Sequence, residues 1–136
     1  MKLKLVLILL ISSIFCGCPM DKWYSIKIIN NSSKDILVLP GYAKYGANEY
    51  PDTCLPNQKP SLLFVGKNDY NFLDASFEWE EIINDLPADT LTIFYFMADS
   101  INILSWDKIR TKYIIIKRDD LSISDLKLKN WTLTFD

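Results

Sequence analysis

Histidine is absent from all 136 residues. That removes the Ser-His and Cys-His nucleophile pairs, the usual zinc and haem ligand, and the commonest general base. Glycine is scarce, at four residues, and none stands in a G-x-G arrangement, so no phosphate-cradling loop is present. Neither sign of charge dominates. The formal net charge of −2 leaves no bulk electrostatic footprint for nucleic acid. Nor is there an apolar run long enough for a spanning helix, which needs about 20 residues. The longest uncharged stretch at the N-terminus is 5–20, or 16 residues. What is present is a chain of single-domain length. It is 49% hydrophobic and 13% aromatic, a composition that buries a core and does not stay disordered.

The N-terminus reads as an export signal. Lys2 and Lys4 form a short positive segment, and 5–15 is apolar apart from Ser12 and Ser13. Ordinary signal cleavage fits poorly: no Ala occurs before position 43, a cut after Gly17 puts bulky Phe15 three residues back, and a cut after Cys18 meets Pro19. Phe15-Cys16-Gly17-Cys18 resembles a bacterial lipoprotein signal, with Phe15 and Cys16 departing from the usual Leu and Ala or Ser. On that reading the Cys18 thiol carries diacylglycerol and its freed amine a third, palmitate-type chain. Two or more chains give stable anchoring, at ~0.8 kcal/mol per buried CH₂. A soluble secreted protein or an uncleaved helical anchor is the alternative. Removing 1–17 takes away two lysines and no acid, so the charge becomes −4. Of the three cysteines only Cys54 is left to the folded part, which excludes an internal disulfide. With no activating neighbour it is expected to be a partly buried, unreactive thiol.

Residues 25–28 alternate and 36–39 form a second apolar run, separated by Asn30-Asn31-Ser32-Ser33-Lys34-Asp35. Together they predict a β-hairpin. Residues 40–60 hold Pro40, Pro51, Pro56 and Pro60 without periodicity and predict a long loop, a feature often functional or mobile. A third strand is expected at 61–65, followed by a polar turn around Gly66 to Asp69. Trp79, Ile82, Ile83 and Leu86 fall at helical spacing before Pro87, with Asp74 or Ser76 as the cap and Glu78, Glu80 and Glu81 in the first turn. Thr90–Met97 ends in a continuous apolar run and is placed centrally, covered on both faces. Ser105 and Ser122 each precede a short helix. The first has Leu104 and Ile109 at staple positions; the second has Leu121 and Leu126 there, with Asp125 completing a capping box. A strand is expected at 113–116, an acidic turn at Asp119-Asp120, and a closing half-buried strand at 130–135 whose loss should unfold the domain.

Several of these stretches together resemble small uncharacterised lipoproteins of Bacteroides-type bacteria. The matching segments are Tyr50-Pro51-Asp52-Thr53, Asp89-Thr90-Leu91, Ser105-Trp106-Asp107 with Ile109, Leu121-Ser122 with Asp125-Leu126, and Asn130-Trp131-Thr132. Members usually continue Tyr-Pro after the last strand, where this chain has Phe135-Asp136. The resemblance implies a cell-envelope location and no known activity. The short Asp-Ser/Thr-apolar pattern of O-glycosylation in such envelopes is matched at Thr90 and Ser100 and nearly at Thr53. Ser100, expected in a turn, is the better acceptor there.

Few constellations point to chemistry. Glu78, Glu80 and Glu81 lie on one helix and Asp119 and Asp120 are adjacent, but nothing sets two carboxyls across a cleft as glycoside hydrolysis needs. Asp99-Ser100-Ile101-Asn102 lacks the Gly and terminal Glu of a calcium loop. Arg110, Lys112, Lys117 and Arg118 form a small basic group suited to a helix end. No cofactor and no metal is expected. The feature with promise is the set of aromatics outside periodic segments: Tyr42, Tyr45 and Tyr50 as a candidate binding loop, with Tyr70 and Phe72.

The expectation is therefore an α+β fold, mainly an antiparallel sheet of about six strands with three short helices. A β-sandwich with helical insertions is the alternative. Residues 1–17 are the lipoprotein signal, 18–24 the lipidated Cys and tether, and 25–136 one domain. The expected role is a lipid-anchored envelope protein acting as a non-catalytic accessory or interaction module. A glycan-binding accessory using the loop at 40–60 and an immunity-type inhibitor of a secreted toxin are the more specific forms, with an enzyme the least favoured. Pro19-Met20-Asp21-Lys22 carries no acidic export run, which favours the periplasmic face of the outer membrane over the cell surface. No nucleic-acid partner is expected.

Overall fold

The structure, a computed structural model, describes residues 24–136. The export segment and the acylation assigned to Cys18 lie outside the described residues. The fold is α+β. Its strands are β1 (Tyr24–Asn30), β2 (Ile36–Gly41), β3 (Leu63–Val65), β4 (Asp69–Ala75), β5 (Thr90–Met97), β6 (Lys117–Ser122) and β7 (Thr132–Phe135). Four short helices are present among the described residues: α1 (Trp79–Asn84), α2 (Ala98–Ile103), α3 (Trp106–Lys112) and α4 (Ile123–Leu128).

The expected sheet of six strands is in fact two sheets, ordered β4-β1-β7 and β3-β2-β5-β6. Every pairing is antiparallel except β1 with β7. The two sheets share one hydrophobic core. Ile26 and Ile28 of β1, Leu73 of β4, and Leu133 and Phe135 of β7 meet Ile36 and Val38 of β2 and Leu91, Ile93 and Tyr95 of β5. Tyr95 stacks on Phe135 across the layers at 5.6 Å. Trp79 and Ile83 of α1 and Leu126 of α4 join this core. Alternation on β1 and β7 is what the period-two side-chain geometry of a one-side-buried sheet demands.

β5 shows no alternation because both its faces are buried, as expected. On the far side of its sheet Phe94 and Phe96, with Leu39 of β2, pack on Ile101 of α2, Ile109 of α3, and Ala47 and Leu55 of the 42–62 loop. Each such fully buried side chain contributes roughly 1.5–3 kcal/mol of transfer free energy. Gly41 sits where a Cβ would lie 3.1 Å from the Phe94 ring and 3.3 Å from the Thr92 carbonyl oxygen, so any side chain there would have to push the buried Phe94 ring or the β5 backbone back by a few tenths of an ångström.

The hairpin expected between 25–28 and 36–39 does not form. β1 and β2 belong to different sheets. The side chain of Asn30, fully buried, explains the crossing. Its Nδ2 donates to the carbonyls of Lys34, Val65 and Gly66 at 2.8, 3.2 and 3.0 Å. Its Oδ1 accepts from the Ser32 amide and hydroxyl at 3.0 and 2.7 Å. These bonds replace the ladder a hairpin would have offered and tie the crossing to the β3–β4 turn.

Other departures are local. Residues 69–75 are a strand, not a turn and loop, and 99–102 belong to α2. The strand expected at 113–116 begins instead at Lys117, and Asp119 and Asp120 lie in it. Ile114 and Ile115 pack against the second core cluster. Tyr113 caps α3 in the left-handed conformation, which breaks the extended run. α1 is N-capped by Glu78 with no side-chain bond, so neither Asp74 nor Ser76 acts as the cap. The other two expected caps are present. Ser105 accepts from Lys108 N at 3.3 Å, and Ser122 and Asp125 form a reciprocal capping box.

Candidate functional site

The outer face of the three-stranded sheet is built by the residues that alternate with its core. On β1 these are Ser25, Lys27 and Ile29; on β4 they are Asp74, Phe72 and Tyr70, directly opposite them. Thr132 and Thr134 of β7 flank Lys27 and Ile29 on the other side. Tyr70 is 53% and Phe72 44% exposed. The two rings meet edge to face, 5.7 Å apart and at 81°. Lys27 Nζ lies 4.3 Å from the Tyr70 ring centroid, a cation–π contact. Ser25 Oγ donates to Asp74 Oδ1. This is an exposed aromatic patch with one ammonium in it, framed by small hydroxyl side chains.

The free edge of β4 is closed to further strands. Asp69 Oδ1 and Asn71 Oδ1 accept from the amides of Tyr70 and Phe72, both at 2.8 Å, and Asn71 Nδ2 donates to the Phe64 carbonyl of β3. With those amides taken by side chains, strand addition is blocked. The patch is therefore read through its face.

The expected binding loop is folded down. Tyr42 is buried, meeting Tyr45 at 5.0 Å and Trp79 at 6.1 Å, both edge to face. Burial raises its phenol well above the ordinary tyrosine range. Tyr45 packs half-buried between the two core clusters, and Tyr50 is half-buried beside Pro51. The Tyr42 and Tyr45 rings cover the sheet, while Tyr50 lines a separate surface depression with Glu49, Pro51 and Asp52, so the three do not form one platform. Arg118 holds the loop: its NH1 donates to Thr53 Oγ1, and its Nε donates to Asp120 Oδ1 at 2.9 Å. Asp120 also accepts from buried Thr92 at 2.6 Å. Partial burial works against the Arg118 charge, and the Asp120 bond with the Tyr113 contact holds its pKa above the ordinary value.

The three candidate O-glycosylation residues are placed differently. Thr53 is buried and bonded to Arg118. Thr90 is half-exposed and donates to the Ala88 carbonyl at 2.7 Å. Ser100, expected in a turn, is half-buried inside α2. Cys54, expected to be partly buried, is exposed.

Glu78 and Glu80 line a separate open depression of about 350 Å³ together with Tyr24, Ser25, Trp79 and Trp131. Lys127 Nζ stands 3.5 Å from Glu80. Asp119 pairs with Lys117 at 3.0 Å, and Lys117 also donates to the Thr134 carbonyl across the open edge between the sheets. Among the described residues no group of three or more Cys, Asp or Glu is arranged to hold a metal ion.

In the sequence alone Tyr70 and Phe72 read as loop aromatics, and nothing marks Lys27 and Ile29 as site residues. The signal was present as Tyr-x-Phe at strand spacing, flanked by Asp69, Asn71 and Asp74. No family model matches the chain, and neither a curated protein nor a solved structure matches it.

Proposed function

We propose that this chain is a lipid-anchored cell-envelope interaction module, acylated at Cys18, that binds a protein partner through the outer face of its three-stranded sheet. The observation that carries the partner surface is the exposed Tyr70–Phe72 pair with Lys27 set over the Tyr70 ring. Exposed Tyr and Phe at the centre of a patch, with polar groups around them, match the aromatic enrichment and polar rim of protein interfaces. A glycan platform is favoured less. Rings at 81° present no common plane for stacked sugars, and the ammonium occupies one face of Tyr70. The lipoprotein-like signal and the resemblance to small envelope lipoproteins support an envelope location, and Pro19-Met20-Asp21-Lys22, without an acidic run, favours the periplasmic face of the outer membrane. The absence of histidine supports a non-catalytic role.

The test compares tagged wild-type chain with the Tyr70→Ser/Phe72→Ser double variant in the native host, by cross-linking and mass spectrometry. About half of each side chain faces solvent, so the variant gives up the ring pair and the Lys27 contact, a loss of about 1–2 kcal/mol that leaves the fold intact by circular dichroism, and it should lose one specific partner. A partner set unchanged between the two chains refutes the assignment of this face.

A further inference from the structure

We infer that the pole of the domain at which β1 begins rests on a lipid surface, with Phe77, Leu128 and Trp131 entering the headgroup region. This rests on the proposed acylation of Cys18. β1 starts at Tyr24, paired with Ala75 at the end of β4. β7 runs parallel to β1, with Thr132 opposite Lys27, so its start faces the same pole. Phe77 follows two residues after Ala75 and is 67% exposed; Leu128, at the end of α4, is 83% exposed. Trp131 is half-buried and lines one depression with Tyr24 and Glu80, and the Lys127–Glu80 contact brings the Leu128 turn to its rim. Strand direction thus sets Phe77, Leu128 and Trp131 at the same pole.

Tyr24 is the sixth residue after Cys18, a reach of at most ~22 Å even when fully extended. An acylated Cys18 therefore keeps this pole beside the bilayer. Scattered exposed apolar side chains are ordinary. Here they coincide with the tethered pole, and they include a Trp, a type that favours the membrane–water boundary. Charge does not supply the attraction. Glu78 and Glu80 line the depression and Lys127 stands against Glu80, so carboxylates outnumber ammonium groups there. Docking through apolar contact is insensitive to salt, unlike attraction to anionic lipid.

The experiment uses the full chain with Cys54→Ser, expressed so that Cys18 is processed and then reconstituted into phosphatidylcholine vesicles. A nitroxide is attached through Leu128→Cys, Phe77→Cys or Ile103→Cys. Ile103, 79% exposed, ends α2 beyond the opposite end of β5 and is the control. All three side chains are exposed, so the fold should tolerate the labels, and circular dichroism checks it. The expected result is oxygen accessibility several-fold above that of a water-soluble nickel chelate at 128 and 77, the reverse at 103, and no change in high salt. Labels at 128 and 77 that meet the nickel chelate as freely as the one at 103, on a chain whose mass shows acylated Cys18, overturn the docking and leave the anchor standing. A mass showing unmodified Cys18 overturns the anchor, and the docking with it.

Discussion

Replacing Asn30 with Ala should cost more stability than any surface change of similar size. The side chain is fully buried and meets five partners. Two N–H groups serve three carbonyls, so at least one bond is shared, and the contributions cannot simply be summed. A net intramolecular hydrogen bond contributes about 0.5–1.5 kcal/mol, and a buried group left unpaired costs about 1–3. Two donors and one doubly used acceptor then give about 2–4 kcal/mol for Asn30→Ala. Against a total of about 5–15 kcal/mol, that is a large share. It corresponds to a fall in Tm of roughly 10–20 °C for a domain near this size. Asn30→Asp should cost at least as much, because it keeps an acceptor for Ser32 but turns a carboxylate towards three carbonyl oxygens. Ser32→Ala keeps the Ser32 amide bond to Asn30 Oδ1 but loses the hydroxyl's bonds to Asn30 and Lys34, and should cost about 0.5–1.5 kcal/mol. The assay is urea unfolding followed by tryptophan fluorescence and circular dichroism, with the slope checked for two-state behaviour. An Asn30→Ala midpoint within error of wild type, or an Asp variant as stable as wild type, would show that the crossing between the sheets is held by apolar packing alone.

Three further outcomes follow from the same geometry. Ser122→Ala removes half of the capping box and should destabilise by about 0.5–2 kcal/mol, measured by the same unfolding curves. The Ser122 hydroxyl and amide bonds lower the Asp125 pKa below its usual value. A carboxyl whose folded pKa is depressed stabilises above its unfolded value of ~3.9 and loses that contribution as pH falls further. The Ser122→Ala penalty should therefore shrink in acid, and a pH-independent penalty refutes the linkage. Tyr42 and Tyr95 have phenols pushed above the ordinary range by burial. Stability should be intact below ~10 and fall as pH rises past it, so these two of the seven tyrosines should ionise only as the chain unfolds, read by phenolate absorbance. Deleting 132–136 removes β7, with Leu133 and the Phe135 ring that stacks on Tyr95. The shortened chain should lose cooperative unfolding altogether, and a truncated chain with a sharp thermal transition contradicts this.

The parts of the fold legible in the sequence were those set by neighbours in the chain. Ser105 and Ser122 cap helices through bonds three residues away, so their signals are local. The 90–97 run declares a strand buried on both faces, because continuous apolarity has no other cheap explanation at that length. The parts not legible depend on distant partners. Asn30 looks like turn chemistry, and its role as a crossing appears only when Val65 and Gly66 arrive beside it. β4 carries its aromatics on the solvent side, which inverts the usual pattern and hides the strand. For the site, the same inversion makes Tyr70 and Phe72 read as loop aromatics in the sequence although they lie on β4. Tyr42 and Tyr45 lacked periodicity because they cover the sheet from a loop, so absence of pattern was a poor guide to exposure. Tyr113 in the left-handed region displaced a strand that β-branched composition favoured.

The parallel pairing of β1 with β7 has a temporal consequence. A ribosome delivers Asn30 roughly 100 residues before Thr132, which at about 5–20 residues per second is a wait of roughly 5–20 s. β4 emerges about 40 residues into that wait and Tyr95 later still; from then until β7 arrives, β1 has β4 alone beside it in its sheet and the face of Tyr95 that will receive Phe135 stays open. Folding to completion is therefore held until nearly the last residue emerges, and anything that must handle the chain unfolded has that whole interval in which to act.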